Sequence, residues 1–249
     1  MTHEEFRVRY YELGPDGAVP LHKLCDYFQE SAGIDAHMLA FGSEDLDGTT
    51  WVLSRMQLVP VMPAKAAGGS TFTVHTWHSF SEKIMARREF YITNEQGETV
   101  LKGATWWLLM DLATRKLTRI PQMLLDMNPP VPEFVVDEHN PKLPAPGDKQ
   151  PLATLPIIVR NEDIDSNAHV NNTHFTAWAL ESVPSEIAEK LTLKELVITF
   201  KNECFSKDQL TMTVREEALA EGATGKAFWH VLTRENDGRE SARVYTRWG

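Results

Sequence analysis

The sequence predicts an α+β protein of two similar halves, each an antiparallel sheet wrapped round one long helix. A weak internal repeat runs through the chain: at an offset of 151 positions, Val8-Arg9 falls on Val159-Arg160 and Glu30-Ser31 falls on Glu181-Ser182. Each half also has the same order of patterns, namely one strand, one helix and several long strands. A sheet packed on a single helix is the simplest way to bury that set.

The first half supplies the clearest element patterns. Alternation from Phe6 to Leu13 predicts a strand, and Pro20 is a favourable start for a helix. Apolar residues then recur at helical spacing, namely Leu21, Leu24, Cys25, Phe28 and Ala32. Strand-like runs follow at 50–61, 70–80, 84–93 and 99–111. Residues 128–151 are rich in Pro, Asp and Lys and predict a linker, which leaves domains at 1–127 and 152–249.

The most distinctive stretch is the run Asp163-Ile-Asp-Ser-Asn-Ala-His-Val-Asn-Asn172. Asp165, Asn167 and His169 alternate with small or apolar residues, so an extended segment or loop would place the three polar side chains on one side. Either of the two asparagines at its end can cap the helix predicted to follow, which stops before Pro184. Backbone N–H groups at a helix start favour a reaction that develops an oxyanion.

The two halves differ in this polar cluster. Asp165, Asn167 and His169 align with Gly14, Asp16 and Ala18, and at an offset of 140 Glu203 and Cys204 align with Pro63 and Ala64. A purely structural cluster would have reason to appear in both halves. The sequence therefore predicts one active site, in the C-terminal half, and another task for the N-terminal half.

Composition and motifs exclude several classes of function. The 249 residues include 42% hydrophobic and 24% charged residues, which is typical of a soluble globular protein, and the net charge of −10 argues against general nucleic-acid binding. No apolar run reaches the roughly 18 residues of a membrane span. The chain has no H-E-x-x-H or C-x-x-C metal motif and no Gly-rich phosphate loop after a strand. We predict no cofactor and no metal.

The expected compartment is the cytoplasm. Two cysteines, Cys25 and Cys204, do not make a disulfide framework, which favours a reducing environment. Because a strand pattern already begins at Phe6, we expect no signal or transit peptide before the fold.

The central run, with Trp178-Ala-Leu-Glu-Ser-Val-Pro184 after it, closely resembles the signature of the acyl-acyl-carrier-protein thioesterases. These are the double hot-dog enzymes of plant plastids and their bacterial relatives. The resemblance extends to Glu203-Cys204 and to Thr114-Arg-Lys-Leu-Thr-Arg-Ile-Pro121, and it covers most of the chain. It implies a tandem double hot-dog fold and hydrolysis of fatty acyl-acyl-carrier-protein to free fatty acid, which terminates fatty acid synthesis. The implied partner is an acylated carrier protein, and a homodimer is one expected assembly.

The resemblance also assigns roles within the cluster. His169 is a catalytic candidate, Asp165 is either catalytic or a brace for the loop, and Asn167 would orient substrate or water. One of Glu203 and Cys204 would act in catalysis, and only one can reach the cluster if the strand predicted over 196–202 continues regularly through them. Cysteine would supply a thiolate nucleophile and glutamate an activated water. Glu203 is favoured, because a thiol would only exchange one thioester for another.

Two expectations concern how the substrate is held. An acyl chain needs an apolar tunnel, and the half without the polar cluster is the natural place for it, with Trp51, Met56 and Leu58 as candidate lining residues. These residue types are more often part of a core. An acidic carrier protein also needs a local basic patch, for which Lys83, Arg87 and Arg88 form one candidate, and Lys201 with Lys207 another.

Three alternative functions remain open at the level of sequence. A coenzyme A thioesterase would hydrolyse acyl-CoA as well as it hydrolyses the carrier-bound form. A hot-dog hydratase or dehydratase would turn over 3-hydroxyacyl substrates without releasing acid. A non-catalytic acyl-binding protein would hold lipid without releasing thiol.

Overall fold

The computed structural model describes residues 1–42, 45–136, 143–147, 150–219 and 222–249. The chain divides into two compact units, Met1–Asn140 and Pro141–Gly249. This boundary falls within the segment 128–151 that the sequence assigns to a linker, of which residues 137–142, 148 and 149 lie outside the described residues.

The first unit is an antiparallel sheet with one long helix, α1 (Leu21–Met38). Its strands run in the spatial order β1-β3-β4-β5-β2, with the short β6 paired to β5. The bounds are β1 Thr2–Arg7, β2 Thr49–Pro60, β3 Thr71–Glu82, β4 Met85–Thr93, β5 Thr99–Asp111 and β6 Leu117–Thr118, followed by the helical turn α2 Gln122–Leu125. The strand predicted from Phe6 to Leu13 was wrong at both ends, because β1 runs from Thr2 to Arg7 and Tyr10–Glu12 forms a 3-10 turn.

The second unit repeats this plan in a shorter form. It contains β7 (Ala153–Ile158), α3 (Asn172–Glu181), the turn α4 (Ser185–Ala188), β8 (Leu193–Phe200), β9 (Gln209–Glu217), β10 (Lys226–Arg234) and β11 (Glu240–Trp248). The strands lie in the order β8-β11-β10-β9-β7, and each neighbouring pair is antiparallel. The predicted α+β class, with antiparallel sheets and few helices, is confirmed.

Aromatic contacts between helix and sheet build the core of each unit. In the first unit Phe28 of α1 stacks on Phe90 of β4, with ring centroids 4.4 Å apart. Gly103 of β5 makes room for this ring, since a Cβ there would lie 2.8 Å from Phe28. In the second unit Phe175 of α3 meets Phe200 of β8 edge to face at 5.5 Å.

Each unit contains buried polar groups that are paired with one another. In the first unit Arg88 donates to the Asp35 carboxylate of α1 at 2.5 Å, and Arg87 donates to Glu89 at 2.5 Å. In the second unit His230 is fully buried between the hydroxyls of Ser182 and Thr246, each 2.9 Å from a ring nitrogen. Burial lowers the pKa of His230 to about 3, so the ring is neutral near pH 7.

The internal repeat is visible as matched hydrogen bonds. The amides of Gly14 and Asp165 donate to the carbonyls of Ala18 and His169, both at 2.8 Å. The amides of Val19 and Val170 donate to the carbonyls of Ala64 and Cys204, both at 2.9 Å. The indoles of Trp107 and Trp248 donate to Thr105 and Thr246. Positions aligned by sequence therefore occupy equivalent places, including those of the polar cluster.

Candidate active site

The residues of the polar cluster lie on a tight loop between a 3-10 turn and α3. Ile164 and Val170 form an antiparallel bridge across the loop, and Ala168 has a left-handed backbone with φ 64°. The Asp165 carbonyl accepts from the Ala168 amide at 3.0 Å, which closes the turn. The loop form is as expected, but the extended alternative was wrong, because the backbone doubles back between Asp165 and His169.

Asp165 turns its carboxylate onto this backbone. Its Oδ1 accepts from the amide of Asn167 at 2.8 Å and from the amide of His169 at 3.4 Å. A side chain that binds the backbone two residues ahead stabilises a turn of this type. Asn167 itself is exposed in the turn. Asp165 therefore braces the loop through its carboxylate, and Asn167 is open to solvent.

Helix α3 begins directly after the loop. Of the two candidate asparagines, Asn171 is the N-cap, and its side chain accepts from the Thr173 amide at 3.1 Å. The Asn171 amide in turn donates to the carbonyl of Asp163 at 2.9 Å. His169 therefore lies two residues before the cap, close to the positive end of the helix.

The structure brings His169 and Glu203 together. His169 Nε2 lies 3.5 Å from Glu203 Oε2, and the two side chains are 28% and 37% exposed. The ring of Phe205 meets the imidazole edge to face, with centroids 5.2 Å apart. An imidazole and a carboxylate in contact, both open to solvent, can take a proton from water and return it to a leaving group.

Glu203 and Cys204 lie in the loop after β8, not on a strand. The prediction of a strand over 196–202 was wrong at its end, because β8 stops at Phe200 and Asn202 donates its side-chain amide to the carbonyl of Glu240 at 2.8 Å. The two neighbours still separate: Glu203 faces His169, whereas Cys204 is 1% exposed.

Cys204 has the surroundings of a structural cysteine. Burial is the main cause that raises the pKa of its thiol above the ordinary value, and a buried thiol with a raised pKa is a poor nucleophile. Its backbone carbonyl accepts the Val170 amide, so the residue ties the two loops of the site together.

Arg234 and Phe205 belong to the site but were missed in the sequence. Arg234 Nη1 donates to the backbone carbonyl of Glu203 at 3.1 Å, and the Phe205 amide donates to Asp208 at 2.9 Å. The repeat contained a signal for Arg234, because it falls on Asn94 at the offset of 140 that pairs Glu203 with Pro63.

The candidate acyl-chain residues lie within the first unit. Met56 and Leu58 are buried on β2, and Trp51 is half-buried with its indole donating to the carbonyl of Phe41 at 2.8 Å. Trp51 packs against a core cluster that includes Phe41 and Leu109. Their contact with an acyl chain remains a prediction.

The basic patch predicted from Lys83, Arg87 and Arg88 was wrong. The Arg87 side chain is 0% exposed and paired with Glu89, and that of Arg88 is 11% exposed and paired with Asp35. Only Lys83 is open to solvent, on a left-handed backbone with φ 51°. Three cations close together in sequence therefore do not form one surface.

The part of the chain that the structure describes has neither a metal-binding cluster nor a helix suited to cross a membrane. Within that part, no cluster of three or more His, Cys, Asp or Glu side chains could hold a metal ion. No helix in the same part of the chain is long and apolar enough to cross a membrane.

Comparison with protein families places the chain. Residues 1–127 match the model of the acyl-ACP thioesterase N-terminal domain, and residues 148–249 match that of the acyl-ACP thioesterase C-terminal domain. The chain therefore belongs to the acyl-ACP thioesterase family.

Individual proteins similar to this chain are named as hydrolases or thioesterases of acyl carrier protein. A chloroplastic acyl-[acyl-carrier-protein] hydrolase of Cuphea viscosissima is 29% identical over 98% of this chain, which spans 62% of that relative's length. The chloroplastic oleoyl-acyl carrier protein thioesterase 1 of Arabidopsis thaliana is 26% identical over 98% of this chain and 75% of its own.

Solved structures share the fold. The 12:0-ACP thioesterase from Umbellularia californica aligns with a TM-score of 0.82 at 24% identity, covering 100% of this chain and 93% of its own. A putative oleoyl thioesterase from Lactobacillus plantarum aligns with a TM-score of 0.81 at 23% identity, covering 99% and 94%. The predicted double hot-dog architecture is confirmed.

Proposed function

We propose that this protein hydrolyses fatty acyl-acyl-carrier-protein thioesters to free fatty acid and carrier protein, and so terminates fatty acid synthesis. The observation that carries the proposal is the solvent-open pair of His169 and Glu203, 3.5 Å apart beside the start of α3, in a chain of this family. Both residues are present only in the half that keeps the polar cluster, since the aligned positions are Ala18 and Pro63.

The reaction needs one base, one acid and a site for negative charge. A water molecule attacks the thioester carbonyl carbon while the pair of Glu203 and His169 takes its proton. The C–O bond forms and the carbonyl oxygen becomes an oxyanion. Collapse of this intermediate breaks the C–S bond, and the same pair returns the proton to the leaving thiolate. Atoms and charge balance without a cofactor.

The loop and the helix start supply the remaining functions. The positive end of α3 would stabilise the oxyanion. Asn167, exposed in the turn, would contact the carbonyl or the water, and Asp165 fixes the loop through the hydrogen bonds that it accepts from two backbone amides. The buried Cys204 takes no covalent part in this scheme.

The proposal divides labour between the units. The first unit, with Trp51, Met56 and Leu58, would take the acyl chain, because it keeps the helix and the sheet but lacks the polar cluster. A cytoplasmic location and assembly as a homodimer belong to the same proposal. Sedimentation of the purified protein tests the assembly.

A thiol-release assay across acyl chain lengths tests the activity. Release of carrier thiol and of free acid from acyl-carrier substrates is the expected result. Faster hydrolysis of the matching acyl-CoA would favour the coenzyme A thioesterase. Turnover of 3-hydroxyacyl substrates without acid release would favour a hydratase, and bound lipid without thiol release would refute catalysis.

A further inference from the structure

The loop that carries Glu203 is held by one arginine from the end of β10. Arg234 Nη1 donates to the Glu203 carbonyl at 3.1 Å and lies 3.8 Å from Asp208 Oδ2. The same guanidinium binds the Asp237 carboxylate through Nε at 3.1 Å and through Nη2 at 2.5 Å. The Arg234 side chain is 12% exposed, and that of Asp237 is 33% exposed.

Glu203 and Phe205 both contact the His169 imidazole, and Arg234 is linked to the backbone of each. Asp208 accepts the Phe205 amide at 2.9 Å, and the Phe205 ring lies against His169. Arg234 thus fixes the backbone of Glu203 directly and that of Phe205 through Asp208. The hydrogen bond from Arg234 is also the main cause that lowers the pKa of Asp237 to about 2, so this carboxylate stays ionised near pH 7.

The other half of the repeat lacks this arginine. Arg234 and Asn94 hold equivalent places in their hairpins, since their amides close the turns on Arg239 and Glu98 at 2.9 and 3.0 Å. Asn94 uses its side chain on its own turn, where it accepts the amides of Gln96 and Glu98. The half that contains Glu203 therefore also contains Arg234. In the other half, Pro63 aligns with Glu203 and Asn94 aligns with Arg234.

We infer that Arg234 is a positioning residue for the proposed reaction, acting through Glu203. It does not touch the reacting atoms. Its planar fork holds Asp237 with two nitrogens while Nη1 reaches the Glu203 carbonyl, a geometry that a lysine ammonium cannot reproduce. The inference rests on the proposed function, because it assigns Glu203 a part in the chemistry.

A double-mutant cycle tests the inference. Arg234→Ala should lower kcat by about tenfold to a hundredfold, because displacement of a reacting group by about 1 Å can cost that much, with KM changed by less than about threefold. Introduced into Glu203→Gln, the same change should lower kcat by a smaller factor than in the wild type, because the placement of Glu203 no longer contributes and only the support of Phe205 through Asp208 remains. Arg234→Lys should lie between Arg234→Ala and the wild type.

Arg247 provides the matched control. It lies on β11 of the same unit, pairs with Glu195 at 3.5 Å and is 44% exposed, and Arg247→Ala should leave kcat unchanged. Equal losses from Arg234→Ala in both backgrounds, or no loss in either, would overturn the inference. If Arg234→Ala does not fold, the same cycle with Arg234→Lys decides.

Hydrogen exchange separates this inference from the proposed function. Amides 203–208 should exchange faster in Arg234→Ala than in Arg247→Ala, whether or not the protein turns over substrate. Unchanged exchange there would refute the role of Arg234. A wild-type protein that releases no thiol would refute the proposed function and leave the exchange result standing.

Discussion

Glu203 and Cys204 are adjacent in the sequence and have opposite surroundings in the structure. Glu203 is partly exposed and contacts His169, whereas Cys204 is buried and its thiol pKa is raised chiefly by that burial. The expectation that only one of them reaches the cluster agrees with this geometry, but the reason given for it was wrong. The two side chains point apart because of the loop after β8, and not because successive side chains alternate along a strand.

The first prediction concerns these neighbours. Glu203→Gln and His169→Ala should each lower kcat by at least about 100-fold, because loss of a general base costs on the order of 10²–10⁴-fold. Cys204→Ala should keep most of the activity, since the thiol is removed from solvent and held as a small buried group. Steady-state thiol release from three folded variants measures this.

The opposite pattern would point to a different chemistry. An inactive Cys204→Ala beside an active Glu203→Gln would mean a thiolate nucleophile. An acyl group on Cys204 should then be detectable by mass spectrometry after a short reaction with substrate. Circular dichroism of each variant controls for loss of folding.

At the scale of elements, the site depends on how loops meet the ends of helices and strands. Asn171 caps α3, and the Asp165 carboxylate holds the turn before it. These local devices could be predicted from residue type, because Asn and Asp side chains commonly bind nearby amides. The contact from Arg234 has no such local signal, since Arg234 lies 31 positions from Glu203, and only the repeat, with Asn94 at the aligned position, pointed to it.

The second prediction concerns the histidine that joins α3 to the sheet. His230 has a pKa of about 3 in the folded protein, lowered by burial from an ordinary value of 6.5. The folded state therefore favours the neutral form of His230. The resulting contribution to the free energy of unfolding is fully present above pH 6.5. As the pH falls from 6.5 towards 3, the unfolded state binds the additional proton, and the free energy of unfolding should decrease by about 1.4 kcal/mol per pH unit from this group.

Hydrogen exchange of β10 and β11 between pH 7 and pH 4 measures this slope, after correction for the intrinsic exchange rate. A readout confined to the second unit is needed because the first unit has its own buried histidine, His78, whose pKa is lowered to about 4 chiefly by burial. His230→Gln should unfold more easily at pH 7 and show a shallower dependence on pH. Parallel curves for the wild type and the variant would contradict the assignment.

At the scale of the whole molecule, the repeat made the fold predictable. Both halves have the same order of patterns, with matched polar and aromatic positions. This repeated order predicts the sheet and the helix of each unit without any knowledge of long-range contacts. The burial of Arg87 and Arg88 could not be predicted in this way. Asp35 lies 53 positions from Arg88, and consecutive arginines on a strand are usually solvent-exposed.

The third prediction concerns the task of the first unit. Met56→Trp or Leu58→Trp should shift product release towards shorter acids, because each side chain points into the interior of the half assigned to the acyl chain. Turnover of short substrates should stay within roughly tenfold, and overpacking should lower the free energy of unfolding by about 1–3 kcal/mol. Product profiles by gas chromatography measure the shift.

The repeat supplies the control. Leu196 and Ile198 occupy the corresponding positions of β8 at an offset of 140 and are equally buried. Leu196→Trp and Ile198→Trp should lower stability without changing the preferred chain length. An unchanged profile from several folded variants of the first unit would refute its assignment to the acyl chain.

The matched hydrogen bonds of the two loops are made by main-chain atoms. Gly14 and Asp165, or Ala18 and His169, form the same bonds at the same lengths although their side chains have nothing in common. The main-chain bonds that close the loop are therefore the same whichever side chain stands at these positions, and the Asp165 carboxylate adds to them. A duplicated gene can exchange the reactive groups of one copy one at a time, and each intermediate form still has a loop that closes.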